Sequence, residues 1–184
     1  MDSSHNLNDV DPASFLVENL PLLPKGRVLD VAMGAGRNAI YLARMGFDVD
    51  GVDISSESIN SAREAAALAG VIIRAEVADL EKGYRIGTGA YDAIICFNYL
   101  QRSLVPQIKA GLRVGGVLIY ETFLIEQAQW AKPKNPYFLL QHNELLRLFA
   151  DFRCLRYREG IFESGKDRKA IAGIVAVKEN EEGL

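Results

Sequence analysis

The chain has 184 residues, 49% hydrophobic and 24% charged, the proportions of one ordinary globular domain. Lys and Arg number 21 against 24 Asp and Glu, so the basic excess of a protein that binds nucleic acid by neutralising phosphates is missing. No apolar run reaches the roughly 18 residues of a membrane-spanning helix, and the polar start MDSSHNLNDVD has neither a signal-peptide core nor an Arg-rich transit pattern, so a cytoplasmic protein without a membrane partner is expected.

Residues 1–10 read as a flexible tail and 11–184 as a single domain. Asp11-Pro12 reads as the N-cap and first position of a short helix that stops near Leu20, before Pro21. PLLPKG is a linker, and RVLDVAM after it is a short apolar run with β-branched residues, hence a buried strand. GAGRNAIYLARMG is a tight turn followed by a helix that Gly46 closes. FDVDGVD is a second strand, residues 55–70 an alanine-rich helix ending at Gly70, and VIIRAEVA a third strand. AIICF, introduced by Tyr91-Asp92, is a fourth strand; residues 103–112 form a helix that tolerates Pro106 in its first turn. GVLIYETF is a fifth strand and residues 143–150 an amphipathic helix. FRCLRYREG and AIAGIVAVK are the last two strands, joined by a charged loop whose Lys166, Arg168 and Lys169 read as a solvated hairpin tip.

Alternating strands and helices, with early strands apolar on both faces, imply an α/β doubly wound, mostly parallel sheet of about seven strands. The short link between the final strands permits a hairpin but no parallel crossover, so the last strand should be antiparallel. Cys96 and Cys154 both lie in apolar stretches, with no CxxC and no Cys/His cluster, which argues against a disulfide framework or a zinc site. His5 and His142 are far apart in sequence, and no metal site is expected.

The most informative segment runs from the first strand to the end of the second. Gly34 and Gly36 let the backbone turn sharply and let a ligand approach without meeting a Cβ, and the loop opens onto a helix N-terminus. Asp53 follows Gly36 by 17 residues, at the end of the second strand, where a carboxylate can accept from both hydroxyls of a ribose. Gly34-Ala35-Gly36-Arg37-Asn38-Ala39 also fits the G-x-G-x-x-A turn of dinucleotide enzymes. Two acids weigh against a dinucleotide. Asp30 stands four residues before Gly34 and would repel a pyrophosphate, whereas it suits an ammonium group. Asp79, closing the third strand, can accept from an exocyclic adenine amine. Structural readings stay open for both, Asp30 as a backbone-bonded acid and Asp79 as a turn residue.

With these motifs the chain resembles class I S-adenosylmethionine-dependent methyltransferases over roughly residues 25–123, and more loosely beyond. In overall look it is most similar to small bacterial methyltransferases of the tellurite-resistance type. VLDVAMGAGRNAIYLA matches the family's first motif, Asp53 its ribose-binding acid, and Ala78-Asp79 its adenine-contacting motif; YDAIICFNYL and LRVGGVLIYETF match the fourth strand and the turn into the fifth. The resemblance implies a Rossmann-like methyltransferase fold and S-adenosylmethionine as cofactor, with S-adenosylhomocysteine as product. It implies cofactor contacts from Asp30, Ala32, Gly34, Gly36, Asp53, Ile54, Ala78, Asp79, Leu80, Phe97 and Asn98. Alanine at position 32, where the family commonly has glycine, is a departure that tightens the floor under the methionine part of the cofactor.

Methyl transfer from a sulfonium is an in-line displacement whose electrophile is already activated, so positioning and water exclusion matter most, and a base is needed only for a protonated nucleophile. A small-molecule acceptor would sit above the carboxyl ends of the fourth and fifth strands, near Asn98, Tyr99, Arg102, Glu121 and Thr122. Tyr99, Arg102 and Glu121 are the catalytic candidates. Arg102 either pairs with an anionic substrate or caps a helix end, and Tyr99 is either rim or catalytic. Residues 124–142, with Trp130, Tyr137 and Phe138, are either a lid over the site or a loop packed on the sheet. The competing functions are a nicotinamide-dependent oxidoreductase and a non-catalytic cofactor-binding module.

Overall fold

The computed structural model describes residues 11–164 and 167–180. The expected flexible tail over residues 1–10 and the expected loop residue Lys166 lie outside them. The described residues form seven strands: β1 (Arg27–Val31), β2 (Asp48–Asp53), β3 (Arg74–Val77), β4 (Tyr91–Phe97), β5 (Leu112–Phe123), β6 (Arg153–Ser164) and β7 (Asp167–Val177). They form one sheet in the order β3-β2-β1-β4-β5-β7-β6. β1 to β5 pair in parallel, and β7 runs antiparallel to both of its neighbours. The helices are α1 (Ser14–Asn19), α2 (Arg37–Arg44), α3 (Ser56–Leu68), α4 (Val105–Gly111) and α5 (Glu144–Leu148). This is the α/β doubly wound, mostly parallel sheet with an antiparallel last strand that the sequence implied.

Strand alternation sorts the core into two layers. Val28, Val49, Ala93, Ile95, Val117 and Ile119 meet α1, α2 and α3, through Leu16, Leu42 and Ile59. Leu29, Val31, Val52, Ile94, Cys96 and Leu118 meet the other layer, through Ile108 of α4, Leu145 of α5 and Phe149. Each fully buried Val, Leu or Ile among these contributes about 1.5–3 kcal/mol. The sheet's strand order reverses between β1 and β4, so the crevice for a ligand opens at the carboxyl ends of these two strands.

Several elements differ from the sequence reading. Asp11-Pro12 does not start the first helix: Ala13 is the N-cap, with no side-chain cap. The Ala13 N–H is instead donated to Asn38 Oδ1 of α2 at 2.9 Å, a tertiary bond that holds residues 11–13 across the sheet top. α1 does stop before Pro21, at Asn19, and Pro21 itself lies inside a 3₁₀ turn, Leu20–Leu22, that follows it. β3 is shorter than expected and mostly exposed, because an edge strand has only one neighbour. The helix after β4 begins as a 3₁₀ turn at Arg102–Leu104, and Pro106 sits in the first turn of α4. β5 starts earlier than expected, with its register against β4 shifting between Tyr91 and Ala93. Arg168 and Lys169 are not a hairpin tip: they lie in β7, in register with Glu163 and Phe162 of β6.

No helix connects β3 to β4, and a polar face results. Asp50 of β2 is only 8% exposed, yet it is held by Arg27 Nη2 at 2.7 Å and Arg74 Nε at 2.5 Å. A buried carboxylate is tolerated here because two guanidinium groups satisfy it.

Candidate active site

β1 ends in the loop that shapes the cleft. Ala32 (φ 56°), Gly34 (φ 55°) and Gly36 (φ 82°) all take the left-handed conformation, so the chain reverses within five residues and feeds into α2. Gly36 is the N-cap of α2, and a Cβ there would come within 2.9 Å of the Ala62 Cβ. The loop is tied to the end of β2: the Gly34 N–H donates to Asp53 Oδ2 at 2.8 Å, and the Ser55 N–H donates to Asp53 Oδ1 at 2.9 Å. Each Asp53 oxygen keeps a further lone pair for an incoming hydroxyl. Asn98 ends β4 in the same left-handed region (φ 57°), so the two strand ends flanking the crevice both leave the sheet through a strained non-glycine residue.

The resulting cleft holds about 440 Å³ and is lined by Asp30, Ala32, Gly34, Asp53, Phe97, Asn98 and Tyr99, together with Met33, Ala35, Arg37 and Asn38. Asp30 is 2% exposed, and its Oδ2 has no hydrogen-bond partner among the described residues. Burial pushes its carboxyl up to about 8, with the charge of Asp53 adding to the rise, against the opposing pull of Arg37 and the Ala39 N–H. Tyr99 is pushed up to about 12 by burial, reinforced by neighbouring carboxylates, so its phenol stays protonated at neutral pH and can donate but not act as a base.

A second cavity of about 610 Å³ adjoins the cleft and shares Arg37 and Asn98 with it. Glu121 of β5 and Arg158 of β6 meet there. Both are in register with Gly173 on the strand between them, and the missing side chain at Gly173 lets the pair close over β7. Arg158 donates to Glu121 Oε2 through Nε at 2.8 Å and lies 2.6 Å from it through Nη2. A Cβ at Gly173 would approach Glu121 Oε2 to 3.1 Å and Phe15 Cε1 to 2.9 Å. The Arg158 guanidinium lies 4.3 Å from the Phe15 ring centroid and 5.2 Å from that of Phe162, which fixes its plane. Burial raises the Glu121 carboxyl above its ordinary range, with Arg158 opposing.

Other expected site residues stand elsewhere. Ile54 is 66% exposed beside the cleft. Leu80 is buried in the core, and Ala78 and Asp79 line a neighbouring groove one strand further out. Asp79 Oδ1 accepts the Glu81 N–H at 2.9 Å, the turn reading of this residue. Thr122 is buried within β5. Arg102 does not line the cleft: it grips Glu144 through Nε at 2.6 Å and Nη2 at 3.0 Å, and donates to the carbonyls of Tyr137 and Leu139. Four of its five N–H groups pin residues 136–144, which favours the structural of its two readings over the anionic-substrate one. Of the two readings of residues 124–142, a lid or a loop packed on the sheet, the structure favours the second, and the segment lines neither cavity. Trp130 donates to the Arg168 carbonyl at 3.0 Å with the Arg168 guanidinium 4.3 Å from its ring, and Gln127 Oε1 accepts the Ala170 N–H at 2.9 Å, which sews this segment to β7.

Sequence reasoning did not name Arg37, Asn38 or Arg158 as site residues, and it read Lys169 as a solvated hairpin residue. Arg37 and Asn38 follow directly on Gly36, so the helix N-terminus was a signal for them. Arg158 and Lys169 carried none, because their place depends on strand register.

Residues 28–116 match the family described as "Methyltransferase domain". Among curated proteins, Hemagglutinin 1 of Eikenella corrodens is 29% identical over 142 residues, which cover 73% of this chain and 46% of that protein. A probable S-adenosyl-L-methionine-dependent methyltransferase, TehB, of Haemophilus influenzae is 26% identical over 161 residues, covering 82% of this chain and 54% of the relative. The crystal structure of TehB from Haemophilus influenzae superposes with a TM-score of 0.77 at 23% identity, covering 91% of this chain and 62% of that one. Fold, glycine loop and matched segment together define the class that the chain resembles, the class I S-adenosylmethionine-dependent methyltransferases. Within that class it resembles TehB. The chain spans about half the length of the curated relatives it matches.

Proposed function

We propose that the chain binds S-adenosylmethionine in the glycine-loop cleft and transfers its methyl group, in line, to a small-molecule acceptor. The observation that carries this reading is Asp30: a carboxylate in the cleft with one oxygen buried and unpartnered. In its ionised form it matches the ammonium of the cofactor's methionine part. Asp53, anchored by the Gly34 and Ser55 N–H groups, is placed to accept from ribose hydroxyls. The cofactor supplies an electrophilic methyl group. The chain's own tasks are to orient that group towards the second cavity, which Asn98 and Arg37 border, and to keep water out.

Calorimetric titration with S-adenosylmethionine, S-adenosylhomocysteine, NAD and NADP tests this. Binding of the first two alone is expected, with loss of at least tenfold in affinity in Asp53→Ala. Binding of a dinucleotide alone would move the protein to the oxidoreductases. Binding of the sulfonium pair without transfer to any small molecule would make it a cofactor-binding module.

A further inference from the structure

We propose that the cavity floored by the Glu121–Arg158 pair takes a small organic acid whose nucleophile, an amine, thiol or hydroxyl, carries a proton, and that Glu121 accepts that proton as the methyl group moves. This rests on the reading of the adjoining cleft as the cofactor site. Size is the first argument. The cavity's roughly 610 Å³ falls in the range of organic-ligand pockets, and Pro12, Phe162 and Ile171 give it an apolar wall.

Charge placement is the second argument. Arg158 engages only Oε2 of Glu121; Oε1 has no hydrogen bond among the described residues, while the residue lines the cavity at 9% exposure. A buried carboxylate with one oxygen fixed and one open is a proton acceptor of defined direction. Lys169 also lines this cavity and has no ion pair or hydrogen bond among the described residues, and Arg37 borders it with only the Asp11 carbonyl accepting from its guanidinium. These two cations can receive an anionic group. The Asn98 N–H donates to the Glu121 carbonyl at 2.9 Å, so the residue bordering both cavities is bonded to the strand segment that carries the proton acceptor.

The step balances as follows. The acceptor's lone pair forms a bond to the methyl carbon, the carbon–sulfur bond breaks with its electron pair staying on sulfur, and the proton on the nucleophile passes to Glu121 Oε1. Glu121 returns the proton to solvent when the product leaves.

The test uses the full chain saturated with S-adenosylhomocysteine and titrated calorimetrically with 3-aminobenzoate, 3-mercaptobenzoate, 3-hydroxybenzoate and their methyl esters. At least one acid should bind, its ester at least tenfold more weakly, and Lys169→Ala should remove most of that difference. Glu121→Gln keeps an oxygen acceptor for Arg158. It should retain binding of S-adenosylhomocysteine and of the acid, slow single-turnover transfer by about 10²-fold or more, and lose the acidic limb of the pH profile. If every ester binds as well as its acid, or no probe binds a chain that holds S-adenosylhomocysteine, the acceptor class is wrong. Transfer by Glu121→Gln at the wild-type rate would remove the proton-acceptor role. Failure to bind S-adenosylhomocysteine would overturn the cofactor reading beneath it.

Discussion

Ala32 leaves β1 at φ 56°, a conformation that brings its Cβ close to the following carbonyl and costs about 1–2 kcal/mol in an L-residue. Ala32→Gly removes that clash but gives the unfolded chain more freedom. The expected net gain is therefore about 0.5–1 kcal/mol, read as a rise in melting temperature of the ligand-free protein. Asp30 makes a sharper prediction. Its folded value of about 8 lies above the ordinary 3.8, so between these pH values the folded chain holds a proton that the unfolded chain has lost. Its contribution is fully favourable below about pH 4 and fades as the pH rises towards 8. Asp30→Asn should flatten that part of the profile and raise the melting temperature at pH 8. Binding an ammonium group requires the ionised form, so affinity for S-adenosylmethionine should climb from pH 6 to pH 8 and then level off. Calorimetry in buffers of different ionisation heat should register proton release at pH 7 in the wild type and none in Asp30→Asn.

At the scale of elements, contacts between neighbours decide what a side chain is for. Arg102 is the clearest case, since the same guanidinium that suits an anionic substrate is consumed by Glu144 and two carbonyls. Arg102→Ala leaves the Glu144 carboxylate without its main partner. A loss of about 2 kcal/mol is expected, with faster amide exchange over residues 136–144 and little change in cofactor affinity. Gly173→Ala acts on the β5–β7–β6 register. Its added Cβ meets Phe15 and Glu121, so it should displace the ion pair and cut transfer more than it cuts S-adenosylhomocysteine binding, measured on the same sample. Deleting residues 127–136 should lower the melting temperature through lost contacts with β7, with cofactor affinity unchanged.

At the scale of the whole molecule, binding at the crevice between β1 and β4 couples to global stability. Both strands are central, and a ligand bridging their ends opposes any opening of the sheet. A ligand present at 100 times its dissociation constant adds about 2.7 kcal/mol, and thermal scans with S-adenosylhomocysteine should show the corresponding upward shift. Much of this architecture was legible from the chain alone. β1, β2, α2 and α3 follow from β-branched apolar runs, a serine N-cap at Ser55 that accepts from the Ser58 N–H, and glycines after the helix ends. The edge strand β3 misled because its sequence, VIIRAEVA, is apolar enough for a buried strand while its place in the sheet leaves it exposed.

What the sequence by itself determined is what depends on neighbours along the chain. The glycine turn, the acids at the ends of β1 and β2, and the alternation of strand and helix are local, set by backbone sterics and hydrophobic period. Only the tertiary structure decided which side chains share a cavity. Glu121, Gly173 and Arg158 come from three strands. They meet because β7 inserts antiparallel between β5 and β6 in one register, and a slip of β7 by one residue would put Ala172 or Ile174 in place of Gly173 between the other two. Residues 124–142 likewise became a strap on β7 rather than a lid because Trp130 and Gln127 find partners there, a choice made by long-range packing that no short window of sequence contains.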